Sequence, residues 1–321
     1  MKLHTINEEQ LPLRADLCMV GTRCELSTNS AGILSSLSRW EAPAAAERSY
    51  SFELNVMVDS EAKRDRSATP HFRGLHHLVF GSFGVTESFV FDLLRRKVSA
   101  VVAEETAKDE GFWNTLLLPT ALGLLGATIG VVPLHCACLD KDGEGLLLAG
   151  DSGTGKSTLA VALSRCGFGI VSDGWTYLGK SGNVLTAYGI SAPVKLLPDA
   201  ARHFPELRDF DAAKASNGEM AFEVDAARAF GAEVRSESRP RWLIFLERVD
   251  APGCEIVPFS GEAAQTFFEN NAERLPTQLK EAAKARAALI ETLSATDCWL
   301  ARYGGPPHRA AEALRRFCEA T

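Results

Sequence analysis

The stretch Gly150-Asp151-Ser152-Gly153-Thr154-Gly155-Lys156-Ser157-Thr158, GDSGTGKST, decides how this chain is read. It meets the pattern G-x-x-x-x-G-K-S, a Walker A sequence, and the spacing has a mechanical reason. Glycines let the backbone curl until successive N–H groups point inward and form a concave anion site. A helix opening at Lys156 adds the positive end of its dipole. In that arrangement Lys156 reaches the β- and γ-phosphates of ATP and the Ser157 hydroxyl ligates Mg2+. The whole run Gly150 to Thr158 is therefore the expected nucleotide-binding segment.

The flanks supply the context that such a loop needs. GLLLAG, 145–150, reads as a buried strand leading into it. Lys156 to Cys166 reads as an amphipathic helix with Leu159, Ala162, Leu163 and Cys166 on one face, and Gly167 stops it. FGIVS, 168–172, is a second buried strand with Asp173 at its end. Upstream, PLHCACLD runs into KDGE, where Asp142-Gly143 signals a hairpin turn. Cys136 and Cys138 beside His135 suggest metal at first sight. Strand alternation instead puts both thiols on one face as small hydrophobes, and no second ligand pair stands at zinc-like spacing.

Taken together, His135, the hairpin, GDSGTGKS, the helix, Gly167 and FGIVS with Asp173 resemble the catalytic domain of HPr kinase/phosphorylase, and more closely the bacterial kinases related to it. The match runs from about Pro133 to Leu178, with a weaker likeness onward. It implies the fold of ATP-dependent phosphoenolpyruvate carboxykinase, an α/β protein with a mixed, twisted sheet around a P-loop. It also implies a kinase that uses ATP and magnesium to phosphorylate a serine or another hydroxyl. By the resemblance Lys156 and the loop amides hold the β- and γ-phosphates, and Ser157 and Asp173 serve the metal. Asp173 alternatively accepts the proton of the attacking hydroxyl, and His135 lies beside the transferred phosphoryl group. Relatives assemble as homo-oligomers. The sequence departs from the family in having Gly174 where a second aspartate stands, and Thr158 where HPr kinase itself has an acidic residue. The phosphorylase segment is not recognisable, and the N-terminal region does not resemble that of HPr kinase. The acceptor is thus left as a protein, a peptide or a small molecule.

Composition bounds the alternatives. The chain has 321 residues, 46% apolar and 23% charged, enough for one large domain or two ordinary ones with proper cores. A net charge of −7 argues against a nucleic-acid binder that works by neutralising phosphates. Eight cysteines are too sparse for a disulfide scaffold, and the first residues lack an apolar signal core, so a reduced, cytoplasmic setting is expected. From Gly111 to Leu139 there is no Asp, Glu, Lys or Arg. Pro119 and Pro133 interrupt that run, so it reads as a buried helix followed by a strand, not as a membrane span.

Residues 1–130 form the expected mixed α+β N-terminal region, and 131–321 the P-loop domain. In the first, Ser51 to Val58 alternates as a strand, Glu61 to Pro70 is a polar loop, and Phe89 to Val102 is a hairpin turning at Arg95, Arg96 and Lys97. His76 and His77 fall in an expected strand, one facing the core. In the second, KLLPDAARHF is expected as a short helix, Asp209 to Gly218 as a mobile loop, and Trp242 to Leu246 as a strand ending in Glu247. Two helices, about Gly261 to Arg274 and Thr277 to Leu293, the strand CWLARY and a last helix complete it. Arg241 and Arg248 flank the Trp242 strand and are weaker candidates for the site. Two further readings stay open: a regulatory ATP-binding module with little transfer, because of Gly174, and a Walker-type ATPase using Glu247 as its carboxylate.

Overall fold

The computed structural model describes residues 8–42, 51–65, 70–181, 184–190, 193–215, 219–272 and 274–321. The chain divides into two compact units, Met1–Val131 with Arg274–Arg286, and Val132–Glu273 with Ala287–Thr321.

The first unit is built on a sheet in the order β1 (Leu13–Met19), β2 (Thr22–Thr28), β3 (Phe52–Val58), β7 (Lys97–Val102), β6 (Glu87–Asp92), β5 (Leu78–Phe83) and β4 (His71–Leu75). The β2–β3 and β3–β7 pairs are parallel and the rest antiparallel. The β6–β7 hairpin forms, with Arg95 and Arg96 in its turn and Lys97 opening β7 instead. The Asp92 carboxylate accepts from the N–H groups of Leu94 and Arg95 to shape its turn. His76 and His77 are not strand residues as the sequence suggested. They form the turn between β4 and β5, with His76 at φ 55°, and neither is in the core. A pair of residues between two strands takes the turn when the alternation on both sides must be kept in register. The uncharged run does fold as a helix followed by a strand. Its helical part spans Glu110–Ile129, is long and apolar enough to cross a membrane, and has 56% of its most apolar window buried. Trp113 is fully buried there, its Nε1–H donating to the Thr106 carbonyl at 2.9 Å. Residues 66–69 of the expected Glu61–Pro70 loop lie outside the described residues.

The second unit carries a mixed sheet of nine strands among the described residues: β8 (Val132–Leu134), β9 (Ala137–Lys141), β10 (Glu144–Ala149), β11 (Gly169–Ser172), β12 (Thr176–Ser181), β13 (Val184–Tyr188), β17 (Glu237–Arg248), β18 (Gly253–Pro258) and β19 (Asp297–Gly304). A small separate sheet holds β14 (Val194–Leu196), β15 (Ala213–Lys214) and β16 (Met220–Val224). The chain is thus a mixed α/β protein. β17 runs parallel to β10 on one side and to β19 on the other, and the outer pairs are antiparallel.

The central strands are apolar on both faces, which is why their sequences read as continuous hydrophobic runs. Period-two alternation divides each between two cores. Leu139, Leu146, Leu148, Ile244 and Leu246 join one core with the helices Lys156–Ser164 and Pro307–Ala320. Cys136, Cys138, Leu147, Ala149, Leu243 and Phe245 join the other with the helices Gly261–Asn271 and Lys280–Ser294. The two cysteines therefore behave as buried hydrophobes, and burial pushes the Cys136 thiol up to about 12.

Two expectations need correction. The helix after the glycine loop is buried on nearly every side, from Leu159 through Leu163, instead of presenting one apolar face. It is sandwiched against both the sheet and the C-terminal helix, which leaves only Ser157, Thr158 and Ser164 partly exposed. KLLPDAARHF splits between β14 and a 3-10 turn, Pro198–Arg202, because its first two residues find ladder partners in β16. Residues 216–218 of the expected mobile loop lie outside the described residues.

Candidate functional site

β10, flanked by β9 and β17, delivers the chain to the glycine loop at its C-terminal end. Three glycines hold positive φ: Gly150 at 142°, Gly153 at 83° and Gly155 at 91°. Only glycine adopts such angles without strain, and this is what allows the sharp curl. Thr154 steadies it, its N–H and Oγ1–H both donating to the Asp151 carbonyl, at 3.3 and 2.8 Å. The Lys156 side chain folds back over the loop and donates to the carbonyls of Gly150 (2.8 Å) and Asp151 (3.0 Å). It is only 8% exposed, and burial holds its pKa below the usual lysine range, opposed by Cys136, Asp173 and Asp151. Ser157 and Thr158, in the first helical turn, are half-buried.

Asp173 follows β11. Its Oδ1 is shielded from solvent and has no hydrogen-bond partner, although the residue as a whole is only partly buried. Its Oδ2 accepts from the Lys195 N–H at 3.2 Å. Burial raises its pKa to about 6, against the opposing pull of the Ser157 hydroxyl, the Lys195 amide and the Lys156 ammonium. His135 stands between β8 and β9, exposed, with the protein around it and the Lys156 charge both holding its pKa below the ordinary imidazole value.

Sheet register brings these distant residues to one place. β11 pairs with β9, setting Ser172 opposite Cys138, and β12 pairs with β8, setting Thr176 opposite Leu134. The turn carrying Asp173 is thereby laid against the link carrying His135. Side chains fasten it: the Ser172 and Thr176 hydroxyls lie 2.6 Å apart, and Thr176 Oγ1 donates to the Cys136 carbonyl at 2.9 Å. The Trp175 indole packs beside the His135 ring, centroids 5.4 Å apart. Lys156 is thus an electrostatic neighbour of both His135 and Asp173, while Ser157 faces Asp173.

The other candidates fall elsewhere or in different roles. Glu247 is exposed and ion-paired with Arg302 at 3.0 Å. Arg241 bonds Glu144 and the Thr321 carbonyl at the opposite end of β17. Arg248 lies over the Tyr303 ring, its guanidinium 5.4 Å from the ring centroid, next to the glycine loop. Tyr303, Trp175 and Lys195 were not anticipated. Nothing in the strand pattern of CWLARY marks Tyr303, and an amide donor such as that of Lys195 leaves no trace in a sequence.

The residues present fit a magnesium ion. The Ser157 hydroxyl and an unpartnered carboxylate oxygen of Asp173 are hard donors, and Mg2+ takes its remaining ligands from water and phosphate. Among the described residues no group of three His, Cys, Asp or Glu side chains gathers as a metal site.

No family model and no curated protein matches the chain. Among solved structures, the HPr(Ser) kinase/phosphatase from Coxiella burnetii is similar to it at 15% identity and a TM-score of 0.30, over 59% of this chain and 88% of that one.

Proposed function

We propose that the protein is an ATP- and Mg2+-dependent phosphotransferase that moves the γ-phosphoryl group to a serine or other hydroxyl of a protein, peptide or small molecule. The observation that carries this reading is the shared electrostatic neighbourhood of Lys156, His135 and Asp173 beside a curled glycine loop. Phosphoryl transfer asks for positioning and charge neutralisation more than for covalent chemistry, and these residue types supply both. The loop N–H groups and Lys156 take the phosphate charge. Ser157 and Asp173 would hold the metal, which neutralises charge on the phosphates.

In the alternative arrangement Asp173 leaves the metal to Ser157, phosphate and water and accepts the proton of the attacking hydroxyl. A new O–P bond forms to the acceptor as the bond from the γ-phosphorus to its bridging oxygen breaks, leaving ADP. A carboxylate raised to about 6 is a better base at neutral pH than an ordinary one. His135, neutral because its pKa is lowered, donates or accepts a hydrogen bond beside the phosphoryl group without adding charge. The setting is taken to be cytoplasmic.

A second reading, a nucleotide-sensing module with weak transfer, is favoured by one feature. Gly174 leaves a single carboxylate for two tasks, and its φ of 86° suits glycine. An added Cβ there would meet no heavy atom within 4 Å, so Gly174→Asp is opposed by its φ and not by a clash. The deciding experiment incubates a cell extract with the protein and labelled ATP and identifies phosphorylated products by mass spectrometry. Label on a hydroxyl acceptor, lost in Lys156→Ala, is the expected outcome. Tight ATP binding with no transfer by either the parent or Gly174→Asp would leave the sensing module.

A further inference from the structure

Tyr303 lies on β19, outside the loop, and is 1% exposed. Its hydroxyl donates to the carbonyl of Thr154. It also fills the space beside Gly155, where an added Cβ would meet Tyr303 Oη at 2.2 Å. The Arg248 guanidinium lies over its ring, and burial raises the tyrosine's pKa while the Arg248 charge opposes that rise.

The consequence follows from the planarity of the peptide bond. In a trans peptide the carbonyl of one residue and the N–H of the next point in opposite directions. With the Thr154 carbonyl tied to Tyr303, the Gly155 N–H is turned away from Tyr303. The N–H and hydroxyl of Thr154 are held on Asp151, so this peptide has little freedom left. We propose that Tyr303, clamped by Arg248, is a positioning residue that fixes the Thr154–Gly155 peptide so that the Gly155 N–H faces the phosphate of a bound nucleotide. Arg248 acts through Tyr303, polarising its hydroxyl into a stronger donor. This role rests on the nucleotide-binding reading above. A buried tyrosine usually finds some partner for its hydroxyl, so the bond alone would be ordinary packing. What sets it apart is that the chosen acceptor belongs to the loop and that no residue larger than glycine at 155 leaves room for it.

The test is nuclear magnetic resonance of the full isotopically labelled chain, titrated with Mg·ADP, in the parent, Tyr303→Phe and Arg248→Met. In the parent the Gly155 amide proton moves downfield on saturation. Tyr303→Phe keeps the ring but loses the bond, so that shift shrinks and the Kd for ADP rises about five- to tenfold, the worth of one hydrogen bond. Arg248→Met, a change at the surface, raises the Kd about two- to threefold by weakening the donor. A parent-like Gly155 shift and Kd in Tyr303→Phe overturns the proposal, as does a lowered melting temperature with an unchanged Kd. If Tyr303→Phe does not fold, parent-like affinity in Arg248→Met overturns it. Failure of the parent itself to bind ADP would instead remove the nucleotide reading beneath it.

Discussion

Asp173 carries the sharpest consequences of any single residue. Its pKa is raised from an ordinary 3.8 to about 6, so the folded state favours the protonated form. The associated stability is full below the unfolded value and is lost as pH rises through about 6. At ~1.4 kcal/mol per tenfold change, ionising Asp173 costs the folded protein about 3 kcal/mol at neutral pH. Asp173→Asn removes the charge and keeps the shape. We expect it to raise the melting temperature of the ligand-free protein at pH 8 and to abolish phosphoryl transfer. For the parent, kcat/KM should climb with pH through about 6 and then level, because the base must be ionised to accept a proton. A profile flat from pH 5 to 8 would remove Asp173 from the proton transfer. Gly155→Ala meets two obstacles at once, a φ of 91° and the Tyr303 hydroxyl, and should lose nucleotide binding in a calorimetric titration.

Among elements, the turn between β11 and β12 matters most, since it converts sheet register into site geometry. The Ser172–Thr176–Cys136 chain of hydrogen bonds is fully buried. Thr176→Val keeps the volume and leaves the Ser172 hydroxyl and the Cys136 carbonyl short of a partner, a loss of about 1–3 kcal/mol. Chemical denaturation should show that loss. Activity should fall by more than ligand affinity does, because His135 and Asp173 shift relative to each other while the loop stays in place. The strand–loop–helix order around Gly150 was legible from glycine spacing and apolar runs, both local signals. The approach of His135 to Asp173 was expected only through the family resemblance, since 38 positions separate them and the β9–β11 and β8–β12 pairings that close that distance leave no local signal. In KLLPDAARHF helical structure is confined to the 3-10 turn Pro198–Arg202, because Lys195 and Leu196 pair with β16, a partner that local sequence does not reveal.

At the scale of the molecule, the second unit depends on two cores sharing one sheet. Leu163 is fully buried in the core beneath the loop helix, and truncating it to alanine should destabilise that unit by about 2–5 kcal/mol. On the proposed function, saturating Mg·ATP should offset part of this, since a ligand at one hundred times its Kd stabilises by about 2.7 kcal/mol. The melting temperature of the parent should therefore rise with Mg·ATP, and Lys156→Ala should not respond. The sequence by itself determined the glycine loop, the hydrophobic strands around it and most helices, because backbone freedom and apolar periodicity are properties of neighbouring residues. Only the tertiary structure decided which charges share a neighbourhood: the burial that raises Asp173, the lysine that His135 senses, and the tyrosine that grips the loop. Those depend on desolvation and on strand register, and both arise between residues far apart in the chain.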